Sequence, residues 1–332
     1  TRKNVESDEE NIFLMNQKIF LNLPDYKFLF NDKLIKIWIN INSNCINLGY
    51  ENFQIYNGIK TGNNKKYLSE SKESNLHKPV IRGRDFYKYT RAKSEIFVLF
   101  NKDELWSNTN ENMYYVEEKL IVRQTSDHLV VTYDNQKNLT MDTTHLIFDK
   151  SKKYKHKFLL GLLNSKLLNF LYQIIVPEIG KTFSEVKGVN LKKLPIVEVD
   201  IEKQINVSQL SNDMLILTNE FNTVIDKLNL FIKQKFSLKK LSSKLSAWYK
   251  LNPSEFIKEI EKIRKEKSKM NKTAYSKLSI IDESEWLSLY NKYLLIVNEY
   301  KSKIKELDLE IDSKVYTLYG LTKEEIEIVG NS

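Results

Sequence analysis

Two arginines that flank a glycine form the first candidate binding site. Arg82 and Arg84 lie on either side of Gly83, and Lys88 and Arg91 follow closely. Arginine often reads guanine through paired hydrogen bonds, and it also binds phosphate strongly. We therefore predict that Arg82 and Arg84 contact a nucleic acid and that Lys88 and Arg91 clamp its backbone. The alternative is that the arginines form internal ion pairs that hold a sheet together.

A second polar segment carries side chains that distinguish bases. Arg123, Gln124, Thr125 and Asp127 lie between two apolar runs of the chain. In a major groove, Gln pairs with adenine, Asp accepts a hydrogen bond from cytosine, and Thr packs against the thymine methyl group. The segment therefore predicts a hairpin tip that reads bases. The alternative is an ordinary polar turn exposed to solvent.

Two further loops, residues 58–64 and 180–184, offer hydrogen-bond donors to phosphates or base edges. The first loop contains two glycines and two asparagines, which suit tight turns. The predicted contact residues are Lys60, Thr61 and Asn63 in the first loop, and Lys181 and Thr182 in the second. For the first loop, a structural turn that orders the sheet is an equally good interpretation.

Three aromatic residues, Phe86, Tyr87 and Tyr89, follow the paired arginines. Aromatic rings stack on a base that has left its helix, or they fill a hydrophobic core. We expect core packing for all three.

The positive charge is concentrated in two parts of the chain. The net charge is +9; residues 60–93 contain ten Lys and Arg against three acids, and residues 150–193 contain ten against two. Such density suits a polyanion, because each neutralised phosphate releases counterions. The alternative is a lysine-rich surface that only keeps the protein soluble.

Several kinds of chemistry lack the residues they need. The nine glycines form no phosphate-binding loop, and neither a cofactor loop nor a catalytic tetrad of adenine methyltransferases is present. The single cysteine and four scattered histidines argue against a metal centre. Glu178, Glu185 and Lys187 imitate a metal-dependent nuclease site, but their spacing is short. We therefore predict no catalytic residues, no metal and no cofactor in this chain.

The first 200 residues contain short apolar runs of the kind that form strands. These runs are rich in β-branched and aromatic residues and are separated by turn signals. The predicted strands are residues 34–42, 53–56, 96–100, 119–123, 128–133 and 145–148. Residues 158–172 are apolar around nearly the whole circumference and predict one buried helix, limited by Pro177.

After residue 200 the pattern becomes helical. Apolar residues at alternating spacings of four and three run from Leu210 to Phe231 and again from Trp286 to Ile311. A shorter helix begins at Asn252. We predict an α+β chain with a mixed-sheet domain at 1–200 and a helical domain at 201–332, whose long helices pack antiparallel within the chain. The alternative is a coiled coil between two chains.

The location is expected to be the bacterial cytoplasm. No stretch of eighteen apolar residues is present, so we expect no membrane span. The polar N-terminus is not a signal peptide, and the missing initiator methionine suggests a piece of a longer protein.

Six segments in order carry a family resemblance. They are residues 58–64, residues 79–89, residues 119–126, Asp142-Thr143-Thr144-His145, residues 162–166 and residues 191–196. Together with the tail from Glu310 to Ile326 they resemble the C-terminal target-recognition region of Eco57I-like and TaqI-like N6-adenine DNA methyltransferases, which include type IIG restriction-modification proteins. The resemblance covers roughly residues 45–200 and 240–328.

The resemblance implies a module that recognises a sequence in double-stranded DNA. The catalytic domain of that family is missing here, so methylation, S-adenosylmethionine binding and any DNA cleavage would belong to the rest of a parent protein. The implied partners are DNA and a methyltransferase domain. The alternatives are a separate specificity subunit that docks a catalytic partner, and a coiled-coil scaffold without DNA binding.

Overall fold

The computed structural model describes residues 31–50, 53–90, 94–176 and 184–331, with Lys18, Leu21 and Leu23. Its strands are β1 (Cys45–Asn47), β2 (Phe53–Asn57), β3 (Leu68–Ser69), β4 (His77–Ile81), β5 (Ile96–Leu99), β6 (Lys119–Arg123), β7 (Val131–Asp134), β8 (Leu139–Thr140), β9 (Thr144–Asp149) and β10 (Pro195–Val197). Its helices are α1 (Asp32–Asn42), α2 (Asn64–Tyr67), α3 (His156–Asn164), α4 (Lys166–Ile175), α5 (Gly188–Leu191), α6 (Ile201–Lys235), α7 (Ser243–Ser246), α8 (Pro253–Met270), α9 (Ile280–Leu318) and α10 (Lys323–Gly330).

Two four-stranded sheets form the centre of the N-terminal part. One has the order β2-β9-β6-β7 and is antiparallel throughout. The other has the order β3-β5-β4-β8, in which β4 and β8 run parallel. A two-stranded pairing of β1 with β10 lies beside them. The strands predicted at 53–56, 96–100, 119–123, 128–133 and 145–148 are confirmed, with end points shifted by up to three residues.

The antiparallel sheet is buried on both faces. On β6, Ile121 packs into a core shared with Val80 and Val98 of the other sheet. Its neighbours Leu120 and Val122 face the opposite way and pack with α3 and α4. A strand with apolar residues on both faces is expected where both faces are covered. The β6 side chains therefore hold the two sheets and the helical layer together.

The strand predicted at residues 34–42 is wrong, because this segment forms α1. The Asn31 side chain accepts a hydrogen bond from the backbone N–H of Leu34 and caps the helix. Ile37, Trp38 and Ile41 are buried. Four isoleucines favoured a strand by residue type, but the capping residue and the buried face select a helix.

The single helix predicted at residues 158–172 is divided into α3 and α4, which meet at an angle of 66°. Ser165 takes an extended conformation, and its hydroxyl accepts from the N–H of Leu168 and donates to the carbonyl of Leu162. Within the described residues, no single helix is long and apolar enough to span a membrane; the bent α3–α4 pair has the length and composition, and it is buried in the core.

The helices α6 and α9 pack antiparallel within the chain, as predicted. At one end, Val207 and Met214 of α6 and Ile311 and Val315 of α9 join the core around α3 and α4. At the other end, the two helices enclose a separate core with α7 and α8, centred on Trp248. The α+β class is confirmed, and α8 begins after Asn252 as expected. The domain boundary at residue 200 stays a prediction.

Candidate nucleic-acid interface

The predicted contact loops meet at one edge of the two central sheets. Arg123 at the end of β6 pairs with Thr144 at the start of β9, and Asn57 at the end of β2 pairs with His145. The parallel strands β4 and β8 also end here. We call this region the loop edge; it comprises residues 58–63, 82–87, 123–128, 141–143 and 184–187.

The turn at residues 141–143 connects the loops on either side of it. The N–H of Asp142 donates to the carbonyl of Ile59 (2.9 Å), and the N–H of Gln124 donates to the carbonyl of Thr143 (2.9 Å). The Thr143 hydroxyl accepts from the N–H of Gly83 (3.0 Å). A Cβ at Gly58 would lie 2.1 Å from the Met141 carbonyl oxygen, so only glycine permits this approach. Three loops from different strands are thus fixed to one turn.

Residues 184–187 are joined to the same edge from the other side. The N–H of Val186 donates to the carbonyl of Gln124 (2.7 Å), and Thr125 forms a bridge with Glu185. The ring of His145 donates from Nε2 to the Val186 carbonyl (2.6 Å). Burial lowers the pKa of His145, so the ring is neutral and this arrangement persists at neutral pH.

Arg82 is engaged within the fold, contrary to the predicted DNA contact. Its guanidinium binds both oxygens of the Asp85 carboxylate, with a closest distance of 2.8 Å, and its backbone N–H donates to Asp85 Oδ2 (2.8 Å). The pair closes the turn and is largely buried, with 17% of the Arg82 side chain exposed. The internal ion pair considered in the sequence is therefore the role that the structure assigns to Arg82.

Arg123 also supports the turn instead of projecting from it. Its Nε donates to the Gly83 carbonyl (2.7 Å), and its Nη2 donates to the Phe86 carbonyl. The guanidinium lies 5.1 Å from the centre of the Tyr87 ring. Arg123 uses its donors to hold the backbone of residues 83–86. Its guanidinium is therefore not directed outward, although the sequence predicted a contact with DNA.

Lys88 does not clamp a phosphate, because its ammonium group is directed into the protein. It donates to the Asn164 carbonyl at the end of α3 (2.9 Å). Burial lowers the pKa of Lys88, while Asp308 and Asp312 of α9 oppose that shift. The side chain therefore anchors the paired-arginine segment to the helical layer.

The loop at residues 58–63 is partly structural. Thr61 is buried, and its hydroxyl donates to the Asn64 side chain (2.6 Å), so Thr61 is not a surface contact. Asn63 is exposed, and its side-chain oxygen caps α2 by accepting from the N–H of Lys66 (3.2 Å). The side-chain nitrogen of Asn63 and the second lone pair of its oxygen are left for a ligand.

The remaining described candidates reach solvent at the loop edge. Lys60, Arg84 and Thr125 are exposed, and Gln124 is half-buried. Asp127 is partly exposed and binds the ring of His128 (2.6 Å). The other candidates, Arg91, Lys181 and Thr182, lie outside the described residues.

Three exposed side chains at this edge did not follow from the sequence. Tyr87 is 68% exposed although core packing was predicted for it, while its neighbours Phe86 and Tyr89 are buried as expected. Trp106 is 70% exposed beside Lys60, and Lys187 is exposed beside Glu185. No local pattern singles out these residues, because they reach the edge through pairings between distant parts of the chain.

A second lysine-rich surface lies at the opposite end of the antiparallel sheet. A cleft of about 1200 Å³ is lined by the end of β9, residues 150–157 and the start of α6. Lys150, Lys152 and Lys155 are exposed there, beside Glu117 and Glu118. We call it the lysine cleft. The second basic part of the sequence is therefore divided between two surfaces.

Metal-binding geometry does not occur in the described part of the chain. Among residues 31–50, 53–90, 94–176 and 184–331, no group of three His, Cys, Asp or Glu side chains is close enough to hold a metal ion.

The solved structures similar to this chain include two restriction enzymes. The type IIG restriction endonuclease BpuSI matches with a TM-score of 0.38 and 11% identity over 53% of this chain and 27% of its own. The type IIL restriction-modification enzyme MmeI, solved in complex with DNA, matches with a TM-score of 0.32 and 10% identity over 72% of this chain and 35% of its own. This chain thus spans about a third or less of either enzyme. No curated protein matches it.

Two family models match consecutive parts of the chain. Residues 200–315 match a domain of unknown function (DUF8810). Residues 78–196 match the TaqI-like C-terminal specificity domain, and this part contains β4 to β10 and most of the loop edge. The resemblance to TaqI-like specificity domains predicted from the sequence is therefore confirmed for residues 78–196.

Proposed function

We propose that this chain is the DNA-recognition module of a restriction-modification protein and that it binds duplex DNA with the loop edge. The observation that carries the proposal is the convergence of five loops at one edge of a TaqI-like specificity domain. Loops on a rigid sheet are suited to recognition, because the scaffold fixes their backbones while their side chains vary.

We assign phosphate binding to the exposed cations whose charged groups form no hydrogen bond or ion pair with the described residues. The side chains of Lys60, Arg84 and Lys187 are exposed and have no hydrogen-bond or ion-pair partner among the described residues. Asp142 lies between the loops; burial raises its pKa, and the nearby Lys60 ammonium opposes that shift. Such cations set the register of a protein on DNA without reading its sequence.

Base reading falls to Gln124, Thr125 and Asp127. Hydrogen bonds of Gln124 to Thr143 and Val186 hold the backbone from both sides. A fixed backbone reduces the entropy lost when a side chain binds a base edge. These three side chains are the candidates for sequence discrimination in the major groove.

Catalysis belongs to a partner domain in this proposal. The sequence has neither a glycine-rich cofactor loop nor a catalytic tetrad. The partner would be an adenine-N6 methyltransferase domain, covalently joined or separate, and it would hold S-adenosylmethionine. This chain would contribute affinity and position on the DNA.

The test measures binding of the chain to random duplex DNA at several salt concentrations. We expect log affinity to fall steeply with log salt, because each neutralised phosphate contributes a slope of about −0.9. Replacing Lys60, Arg84 and Lys187 together by Met should lower affinity about 100-fold near 0.1 M salt and reduce the slope by about 2 to 3.

The matched control replaces Lys150, Lys152 and Lys155 of the lysine cleft by Met. It removes the same charge and should change affinity less than about threefold, since only long-range attraction is lost. A larger loss from the cleft variant than from the loop-edge variant would contradict the proposed interface. Affinity that is absent at low salt, or independent of salt, would contradict DNA binding by this chain.

A further inference from the structure

Trp106 is an exposed aromatic residue that the fold holds in one place. It is 70% exposed, whereas Trp38, Trp248 and Trp286 are buried. A large apolar side chain that is exposed on a fixed backbone is a candidate contact for another molecule.

The backbone of Trp106 is paired with that of Lys60 at the loop edge. The Lys60 carbonyl accepts from the N–H groups of Trp106 (3.0 Å) and Ser107 (3.3 Å). The side-chain nitrogen of Asn108 donates to the Gly58 carbonyl (3.0 Å), and the Tyr114 hydroxyl donates to the backbone carbonyl of Asn108 (2.7 Å). These bonds fix the segment that displays the indole.

The indole packs against glycine on one side and lies next to a cation. Gly62 has a φ of +77°, which favours glycine, and a Cβ there would lie 2.1 Å from the indole nitrogen, so the indole would have to move if Gly62 were replaced. The Lys60 ammonium lies 5.4 Å from the ring centre. Lys60 is also near Asp142. Trp106 and Lys60 therefore lie beside the central turn of the loop edge.

We propose that Trp106 and Lys60 form a stacking site for a nucleotide of the bound DNA whose base has left the helical stack. The inference rests on the proposed function, because it requires DNA at the loop edge. An exposed ring stacks on a base of any type, and an adjacent ammonium neutralises the phosphate of the same nucleotide. Bases in an intact duplex are covered by their neighbours, so only a displaced base offers its face.

The experiment compares two duplexes of one sequence, one fully paired and one with a single-nucleotide bulge. Affinity is measured by fluorescence anisotropy, and the exposure of Trp106 by acrylamide quenching of tryptophan emission. Trp106 dominates the quenchable emission because the other three tryptophans are buried. We expect the bulged duplex to bind about tenfold more tightly and to protect Trp106 more strongly.

The variants separate stacking from bulk and from folding. Trp106→Leu keeps apolar volume without an aromatic face and should abolish the preference for the bulge. Trp106→Phe keeps an aromatic face and should retain most of it. Tyr50→Ala, at an exposed aromatic near the start of β2 and away from the loop edge, should leave the preference unchanged.

The outcomes distinguish the inference from the function on which it rests. Salt-dependent DNA binding with equal affinity for both duplexes, or with Trp106 equally protected by both, overturns the stacking site and leaves the proposed function standing. A preference that persists in Trp106→Leu also overturns it. The absence of salt-dependent binding to either duplex overturns the proposed function, and the stacking site with it.

Discussion

The loop edge and the lysine cleft lie at opposite ends of one sheet, and both carry exposed cations. In the cleft, Lys150, Lys152 and Lys155 come from one continuous segment beside Glu117 and Glu118. At the loop edge, the cations come from three separate loops: those of Lys60 and Arg84 are hydrogen-bonded to the turn at 141–143, and that of Lys187 is hydrogen-bonded to Gln124. The edge has fewer lysines, and its loops follow different strands, whereas the cleft lysines lie on one segment that Asp149 and Gln204 hold by hydrogen bonds.

The difference shows that charge density along a sequence does not locate a binding surface. Residues 150–157 contain five lysines, two of which have partners within the fold: Lys153 pairs with Glu198 (2.7 Å), and Lys157 donates to Asn212 (2.9 Å). A surface that reads DNA needs groups fixed in relative position, because base discrimination depends on hydrogen-bond geometry. The loop edge meets that need.

The largest effect is expected from Arg123→Lys, which tests whether the edge depends on its internal support. Lysine cannot reproduce the planar donors that reach the Gly83 and Phe86 carbonyls. We expect the free energy of unfolding to fall by about 2 kcal/mol and DNA affinity to fall at least tenfold. Urea unfolding and anisotropy titration measure the two changes.

The matched variant in the cleft is Lys157→Met. It removes one hydrogen bond, to Asn212, and a cation 5.4 Å from the centre of the Tyr133 ring. Stability should change by less than about 1 kcal/mol, and DNA affinity by less than about threefold. Equal effects of the two variants would mean that the loop edge is no more organised than the cleft.

A smaller effect on stability is expected from Asp312→Asn, which tests the contact between α9 and the start of α4. Asp312 is buried on α9, and its Oδ1 accepts from the N–H of Lys166 at the start of α4 (2.8 Å). Burial raises its pKa to about 6, and Asp308 adds to the shift, while Lys166 and Lys88 oppose it. Asparagine keeps the acceptor and removes the charge.

The direction in which stability changes with pH follows from proton binding by Asp312. The folded protein holds the Asp312 proton up to about pH 6, whereas the unfolded chain releases it near the ordinary value of 3.8, so stability from this group is lost as pH rises through 6. Asp312→Asn should therefore be more stable than the original chain by about 1–2 kcal/mol at pH 8 and equally stable near pH 4. Thermal melts across this range measure the difference, and a variant that is less stable at pH 8 would refute the assignment.

Much of the fold was predictable, because strands and long helices leave periodic patterns. The runs at 119–123 and 145–148 are buried strands, and the seam from Trp286 to Ile311 lies on α9. The composition of residues 34–42 led to the wrong prediction of a strand, because isoleucine favours strands. The cap at Asn31 sets a helix instead. The break at Ser165 depends on one hydroxyl that satisfies both helix ends, and no apolar pattern records it.

The site was predictable at the level of loops and not of side chains. The described parts of the chosen loops, residues 58–63, 82–87 and 123–127, do meet, because they follow strands that end at one edge. Whether an arginine faces outward depends on its neighbours in space: Asp85 binds Arg82, while Arg84 two residues away is exposed. The position of Trp106 depends on its backbone pairing with Lys60, which is distant in the sequence.

The most direct test of the central claim is disulfide cross-linking to a duplex that carries a thiol tether. The only native cysteine, Cys45, has its pKa raised to about 12 by burial, so its thiol stays protonated at neutral pH, and the unsubstituted chain serves as the control. A cysteine introduced by Thr125→Cys at the loop edge is compared with one introduced by Lys152→Cys in the lysine cleft. Both native residues are exposed.

We expect that Thr125→Cys forms a cross-link with the tethered duplex and that Lys152→Cys does not. The cross-link should disappear when unmodified duplex competes and when salt is raised. Efficient cross-linking at Lys152→Cys with none at Thr125→Cys would place the DNA at the opposite end of the sheet and contradict the account.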